Sequence, residues 1–515
     1  MNFKIFKKRF NFIKENKTKN CFFIVARNRY LNDLCNIFGS IVLNKDYKFN
    51  PIVISDKQHQ KINLFEIFNL NRIVSIFRIY FIILNPLISI KALFETIHVM
   101  IKIKSSGFIW LIEKYYFLSV KIGDLVYDTY TRNNHRYVNP NLNFKFFTIL
   151  FKATFRTIKL KKITNLYNPK CVFIGTEGYS HNDGIMYRIA ISKGIPVLEC
   201  MSQYLMIHKK EFIDIGPDHL KFFYKKNKFD INRKIIEKHF IEKFKYIKES
   251  KYTDVFLLAN KYKKRFDKKL FLKDIGFNKN FKKIVLIAPH AFSDAPHVAG
   301  KIIFRDYYNH LEETLKYIRE KNLNNVLWVV RSHPAHFFFD EIDIFDDLIK
   351  KFQNNYIVRC PKENNTKDLI EIFDHVITTR GSVGIEFATH GKIPILGGIA
   401  PYSHLGFTKD FKNKKEYFNI LKNINKLKNL NKAQVIEAKK AMYLMDNALY
   451  RNSLKKGNFL NTDKGEKKYK KGLKKGKVTI NQIDYISSTI KNLDKYEIAE
   501  DKYYLSLKKE ISKNL

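Results

Sequence analysis

The chain has 515 residues, 45% of them hydrophobic and 15% aromatic, with a formal net charge of +45. That composition excludes a disordered chain, and the length exceeds what one ordinary core supports, so two domains are expected. The positive charge leaves nucleic acid, anionic lipid and anionic small-molecule partners open. Lys, Asn, Ile, Phe and Tyr are over-used throughout, as an AT-rich gene would produce, so the charge by itself specifies none of these partners.

Five cysteines, Cys21, Cys35, Cys171, Cys200 and Cys360, stand apart with no metal-binding spacing and read as buried thiols. The basic N-terminus lacks the continuous apolar stretch of a secretory signal, so a cytoplasmic location is expected. An apolar stretch at 73–103 is interrupted by Arg78, Asn85-Pro86 and Lys91. It reads as two amphipathic or buried helices rather than a span, and it is compatible with peripheral attachment to a membrane.

In chain order, apolar runs at 21–26 and 51–54 flank a helical stretch at 30–38, a βαβ opening. Residues 61–160 read as mostly helical, with a polar, acidic interruption at 122–130. Strands follow at 171–174 and 195–198, separated by the GTEG turn at 175–178 and a helix at 184–192. A basic helical stretch at 231–266 leads out of this first domain.

A second series begins with the apolar run at 284–289. Strands at 326–330, 356–358, 375–378 and 393–396 alternate with helices at 306–321, 341–352 and 367–373 and one starting near Ser382. A closing helix is expected at 432–448. Such alternation predicts parallel sheets covered on both faces. The expected fold class is therefore α/β, two Rossmann-like domains facing a cleft. The first spans 1–270 with a helical insertion at about 61–160, and the second spans 275–450. Residues 451–479 form a Lys- and Gly-rich linker, and 480–515 a terminal helix.

Ligands of parallel α/β sheets bind beyond the carboxyl ends of the strands, and three loops in the second series carry chemistry there. The strand at 326–330 runs into Arg331, Ser332, His333 and Pro334, where His and Arg can donate to a phosphate. The strand at 375–378 runs into TRGSVGIE at 379–386. There Gly381 and Gly384 permit close backbone approach, Ser382 opens a helix whose amides attract anions, Arg380 adds charge, and Glu386 can accept from sugar hydroxyls. The loop after Pro289 holds His290, Ser293, Asp294 and His297. Their spacing matches no common metal site, so no metal is expected.

VVRSHP at 329–334, RGSVGIE at 380–386 and GKIP at 391–394 together resemble the capsule polysaccharide biosynthesis proteins. These are bacterial glycosyltransferases that include Kdo transferases and are related to polysialyltransferases. The resemblance covers mainly 284–425. It implies a metal-independent GT-B enzyme with no cofactor beyond its nucleotide-sugar donor, which in such relatives is CMP-linked. It also implies a glycan or glycolipid acceptor, and an anionic inner-membrane surface is a compatible partner. His333 and Ser382 would sit at the donor phosphate, with Arg331, Ser332, Pro334, Arg380, Gly381, Gly384 and Glu386 around it. Glu177, Asp183 and Asp294 are the candidate bases for the acceptor hydroxyl.

A sugar-nucleotide 2-epimerase and a polyol-phosphate transferase are alternative enzymes of similar architecture. A nucleic-acid-binding protein is the alternative of another class, but the Lys-Gly linker has few aromatics, with Tyr469 the one among its dense lysines.

Overall fold

The computed structural model describes residues 20–26, 48–55, 73–75, 85–132, 135–201, 204–208, 210, 217–218, 220–221, 233–249, 267–361 and 366–446. Its described residues fall into two compact units. The first holds those up to 130 and from 141 to 210, and the second holds 131–140 and those from 217 to 446. The helical stretch expected at 30–38, the linker and the terminal helix lie outside the described residues.

In the first unit, β1 (Cys21–Val25), β2 (Asn50–Ser55), β3 (Ile73–Ser75), β6 (Val172–Ile174), β7 (Val197–Met201) and β8 (Tyr204–His208) form one sheet. Its order is β3-β2-β1-β6-β7-β8. All neighbours run parallel except β8, which returns antiparallel to β7. The central strands are apolar without alternation (CFFIV, VFI) and fully buried, as a sheet covered on both faces requires. A short hairpin, β4 (Tyr116–Phe117) and β5 (Val120–Lys121), stands apart from this sheet.

Helices supply the cover: α1 (Pro86–Lys114), α2 (Gly123–Thr131), α3 (Phe144–Tyr167) and α4 (Asn182–Ser192). α1 starts where Pro86 fixes the first helical φ. Its regular course breaks at Gly107, whose φ of 74° is left-handed. α3 is capped by the Asn143 side chain, which accepts from the Phe146 N–H.

Two local expectations are corrected here. Ile73–Ser75 is a strand pairing with β2, where two β-branched residues favour extended backbone. The acidic stretch at 122–130 is no interruption but the buried helix α2. Its Asp124 is buried because Arg188 Nη2 reaches Oδ2 at 3.0 Å.

The second unit is a five-stranded, wholly parallel sheet of β9 (Lys283–Ile287), β10 (Val326–Val330), β11 (Ile357–Arg359), β12 (His375–Thr378) and β13 (Ile393–Leu396), in the order β11-β10-β9-β12-β13. Its helices are α5 (Arg233–Glu249), α6 (Lys268–Asp274), α7 (Tyr307–Glu320), α8 (Pro334–Phe338), α9 (Ile342–Phe352), α10 (Thr366–Ile372), α11 (Ser382–Ala388), α12 (Lys414–Lys422) and α13 (Lys432–Leu444). α7 is capped by Asp306, whose carboxylate accepts from the Asn309 N–H at 2.8 Å. Both units are thus doubly wound α/β structures of the expected class.

The units do not divide where chain order alone suggests. α5, expected to close the first domain, packs on α13. Asp446 accepts from Lys243 at 2.8 Å and lies 2.9 Å from His239 Nε2, while Lys439 binds Glu237. Residues 131–140 also belong to the second unit, where Tyr137 is buried in the core and its carbonyl accepts from Arg305.

Candidate functional site

In the second unit the strand order reverses at β9, since β10 and β12 flank it on opposite sides. Loops leaving the carboxyl ends at such a point diverge and leave a crevice. Three main-chain bonds carry the ladder one step into those loops: Arg331 N to Ile287 O (2.9 Å), Ala288 N to Ile377 O (2.8 Å) and Gly397 N to Thr378 O (3.0 Å). The turns holding His290, Arg331–Pro334 and Thr379–Ser382 therefore begin in one row.

His290 links these turns. Its ring stacks on Tyr307 at 4.7 Å and on His333 at 5.7 Å, and it lies beside Arg380. Burial first, then the neighbouring His333 and Arg380, hold its pKa well below the ordinary value, so it is neutral.

Arg380 is 8% exposed. Its Nη2 donates to Gly300 O at 3.0 Å, while among the described residues buried Nε and Nη1 have no hydrogen-bond partner, and neither has buried His290 Nε2. A buried guanidinium with two unanswered nitrogens costs free energy unless an acceptor arrives. That is the strongest single feature of the site.

His333 is the N-cap of α8: Nδ1 accepts from the Ala335 N–H at 3.1 Å, which leaves the proton on Nε2. Burial and then Arg331 lower its pKa to about 4, so at neutral pH it is a neutral donor of fixed tautomer. His336, buried beneath, accepts from the His333 N–H and donates from Nε2 to His290 O at 3.0 Å. Pro334 starts α8, and Ser332 and Arg331 are half-buried at the strand end.

Ser382 is exposed at the first position of α11, after the N-cap Gly381. α11 has only seven residues, so its amides matter more than any macrodipole. The Ser382 hydroxyl bonds the buried Glu386, whose pKa is raised by burial and lowered in part by Lys243, Ser382 and Arg331. Glu386 thus sits inside the unit, holding Ser382. Gly384 is required by packing: a Cβ there would overlap the Tyr402 hydroxyl, which donates to Gly381 O at 2.5 Å.

Further supports escape a reading by sequence spacing. His310 Nδ1 lies 2.8 Å from Thr379 Oγ1 and its Nε2 3.0 Å from the Tyr417 hydroxyl. Buried Glu341 accepts from the N–H groups of Phe292 (2.8 Å) and Ser293 (2.9 Å) and from the Ser293 hydroxyl. That clamp commits Ser293 to loop structure and leaves Asp294 exposed.

The first unit carries acids at the equivalent place. β6 and β1 meet where its strand order reverses, and the loop after β6 brings Glu177 against Glu199 of β7 by a side-chain hydrogen bond. Glu199 Oε2 lies 2.8 Å from His208 Nε2 on β8, both buried. Burial first, and then Glu199, push Glu177 up to about 8, while burial lowers His208 to about 4. His208 is therefore a neutral donor to a carboxyl pair that holds a proton near neutral pH. Asp183 is buried and accepts from the Gly175 N–H at 3.2 Å, tying down the same loop. Neither Glu199 nor His208 stood out in the sequence, because one sits in an apolar strand and the other on an edge strand that spacing did not mark.

Among the described residues no cluster of three His, Cys, Asp or Glu side chains could hold a metal, and no helix is long and apolar enough to cross a membrane.

No family model matches the chain and no curated protein matches it. Among solved structures it is similar to the beta-Kdo 2,4-transferase KpsC of Thermosulfurimonas dismutans, at 15% identity over 53% of this chain and 79% of that one (TM-score 0.33). It is also similar to the UDP-GlcNAc 2-epimerase of Neisseria meningitidis bound to UDP-GlcNAc, at 13% identity over 82% and 98% (TM-score 0.25). Anabaena Alr3699/HepE in complex with UDP-glucose aligns at 11% identity over 83% and 95% (TM-score 0.28). Likeness at this level carries no statement about chemistry, which rests on the residues themselves.

Proposed function

We propose that the protein is a glycosyltransferase whose second unit binds the phosphate of a nucleotide-activated sugar. The observation that carries this reading is Arg380: a buried guanidinium whose Nε and Nη1, like the neighbouring His290 Nε2, are unanswered among the described residues, at the carboxyl ends of parallel strands. A planar fork of N–H groups matches phosphate oxygens. His333 Nε2–H and the first amides of α11 are the further donors, Ser382 opens that helix with its hydroxyl committed to Glu386, and Arg331 adds positive charge.

Negative charge grows on the leaving phosphate as the glycosidic bond breaks. Fixed donors aimed at that charge lower the barrier without reorganising during the reaction. A neutral His333 serves this better than a titrating one, since its proton stays in place across the working pH range.

The proton of the attacking hydroxyl is assigned to Glu177. A carboxyl pushed up to about 8 can take and return a proton near neutral pH, whereas an ordinary carboxylate is too weak a base. Glu199 and His208 position it. Resemblance to the capsule enzymes favours a CMP-linked donor and a glycan or glycolipid acceptor.

The test is incubation of the full chain with CMP-, UDP-, GDP- and CDP-sugars, following release of nucleotide and the fate of the sugar. Nucleotide released by wild type and lost in Arg380→Ala supports the reading. An epimerised sugar still joined to its nucleotide would favour the 2-epimerase instead.

A further inference from the structure

α1 is apolar on two opposite sides. Ile88, Ala92, Thr96, Val99 and Ile103 are buried, and Thr96 Oγ1 lies 3.5 Å from Thr154 Oγ1 of α3. That side is the core face. The opposite face carries Leu87, Ile90, Phe94, Ile97 and Ile101, spaced by three and four residues, so they form a single stripe. All five are exposed: Leu87 by 83%, Phe94 by 70% and Ile101 by 64%. The regular helix runs from Pro86 to the break at Gly107, about 30 Å at 1.5 Å per residue.

A water-facing stripe of this length is not neutral decoration, because contiguous exposed apolar surface marks contact with something. The residues beside it say what. Lys91 and Lys102 border the stripe on one side and Lys104 on the other, all exposed. Glu95, the only acid between Pro86 and Ser106, is turned away, accepting from the Tyr115 hydroxyl at 3.0 Å. An apolar stripe edged by lysines fits an interface that is oily within and anionic at its surface. The net charge of +45 adds long-range attraction of the same sign.

We infer that the outer face of α1 seats the protein on an anionic lipid bilayer, with Leu87, Ile90, Phe94, Ile97 and Ile101 entering the acyl boundary and Lys91, Lys102 and Lys104 meeting lipid phosphates. The helix lies in the plane of the interface and does not cross it. This surface is distinct from the phosphate site of the second unit, so the two assignments stand or fall separately.

Flotation of the full chain with phosphatidylcholine vesicles, with and without phosphatidylglycerol, tests it. Wild type should bind the anionic vesicles and lose most binding at high salt. The triple variant Leu87→Gln/Phe94→Gln/Ile101→Gln should lower binding by about tenfold or more at an unchanged melting temperature, since these residues are exposed. Lys91→Gln/Lys102→Gln/Lys104→Gln should reduce binding to anionic vesicles alone, and Phe94→Gln offers a milder probe. Absence of wild-type binding, or equal binding by the triple variant, overturns the proposal. So does binding that disappears only when the lysines at 464–477 are replaced. A triple variant that melts lower or changes oligomeric state, with vesicle binding intact, means that protein covers the stripe, and overturns it as well.

Discussion

The two sheets share one plan and differ in the sign of what they present. In each, a central strand is flanked by the strands on either side of the reversal point, β1 by β2 and β6, β9 by β10 and β12. The second unit's loops there hold Arg331, Arg380 and two histidines kept neutral by burial. The first unit holds Glu177 in the loop after β6, Asp183 at the start of α4 and Glu199 on β7, with the pair around Glu177 retaining a proton. One architecture thus presents donor-rich strand ends in one unit and acid-rich strand ends in the other. Chemistry lives in the strand-end residues, not in the fold.

If that division is right, the largest effect belongs to the proton acceptor. Glu177→Gln should lower turnover by about 10²- to 10⁴-fold while leaving nucleotide binding unchanged. In wild type, activity should rise with pH toward a midpoint near 8, because the basic form appears only above that value. Glu199→Gln should move the midpoint down by about one unit or more, since removing a neighbouring carboxyl eases ionisation of Glu177. The stability sign follows from the same shift. The fold favours the protonated Glu177, so its contribution is complete below the ordinary 4.5 and lost as pH rises through about 8. Glu177→Gln should remove that slope from a melting-temperature profile.

Next come the anion donors. Arg380→Ala should cost about 10²- to 10³-fold in turnover and weaken nucleotide binding, with Arg380→Lys recovering only part, because the fork is lost. His333→Ala should lower turnover by about 10²-fold, and Ser382→Ala by less, since the Ser382 hydroxyl is committed to Glu386. His333→Ala should also lose about 1 kcal/mol of stability as the cap of α8.

The smallest effect is purely structural. Glu341→Gln leaves bonds to the Phe292 and Ser293 N–H groups weakened, and should destabilise by about 1–3 kcal/mol with activity falling only in proportion to loop order. Chemical denaturation of the full chain measures it.

The two regions also differ in how much of them could be read beforehand. The second sheet was legible because buried parallel strands are short continuous apolar runs (KIVLI, VLWVV, HVIT, IPIL), and VLWVV and HVIT are followed at once by polar residues. His333 and Arg380 were visible for that reason. The supports beneath them were not. Tyr402 reaches Gly381 across 21 residues and Glu341 reaches Ser293 across 48, contacts that leave no local pattern.

In the first unit, Glu177 was legible in a glycine-flanked turn, but its partners were hidden. Glu199 interrupts an apolar strand, and the antiparallel return of β8 depends on pairing with β7 rather than on its own periodicity. The membership of α5 in the second unit was hidden too, since it is fixed by ion pairs to Lys439 of α13 and to Asp446 just after it, about 200 residues away.

The central claim is that Arg380 waits for a nucleotide phosphate. Its most direct test is the melting temperature of the full chain titrated with CMP, UDP, GDP and CDP, in wild type and in Arg380→Ala. The account predicts that one nucleotide stabilises wild type, by about 2.7 kcal/mol at a hundred times its dissociation constant, and that the variant responds far less. Stabilisation by no nucleotide, or equal stabilisation of both proteins, would contradict it.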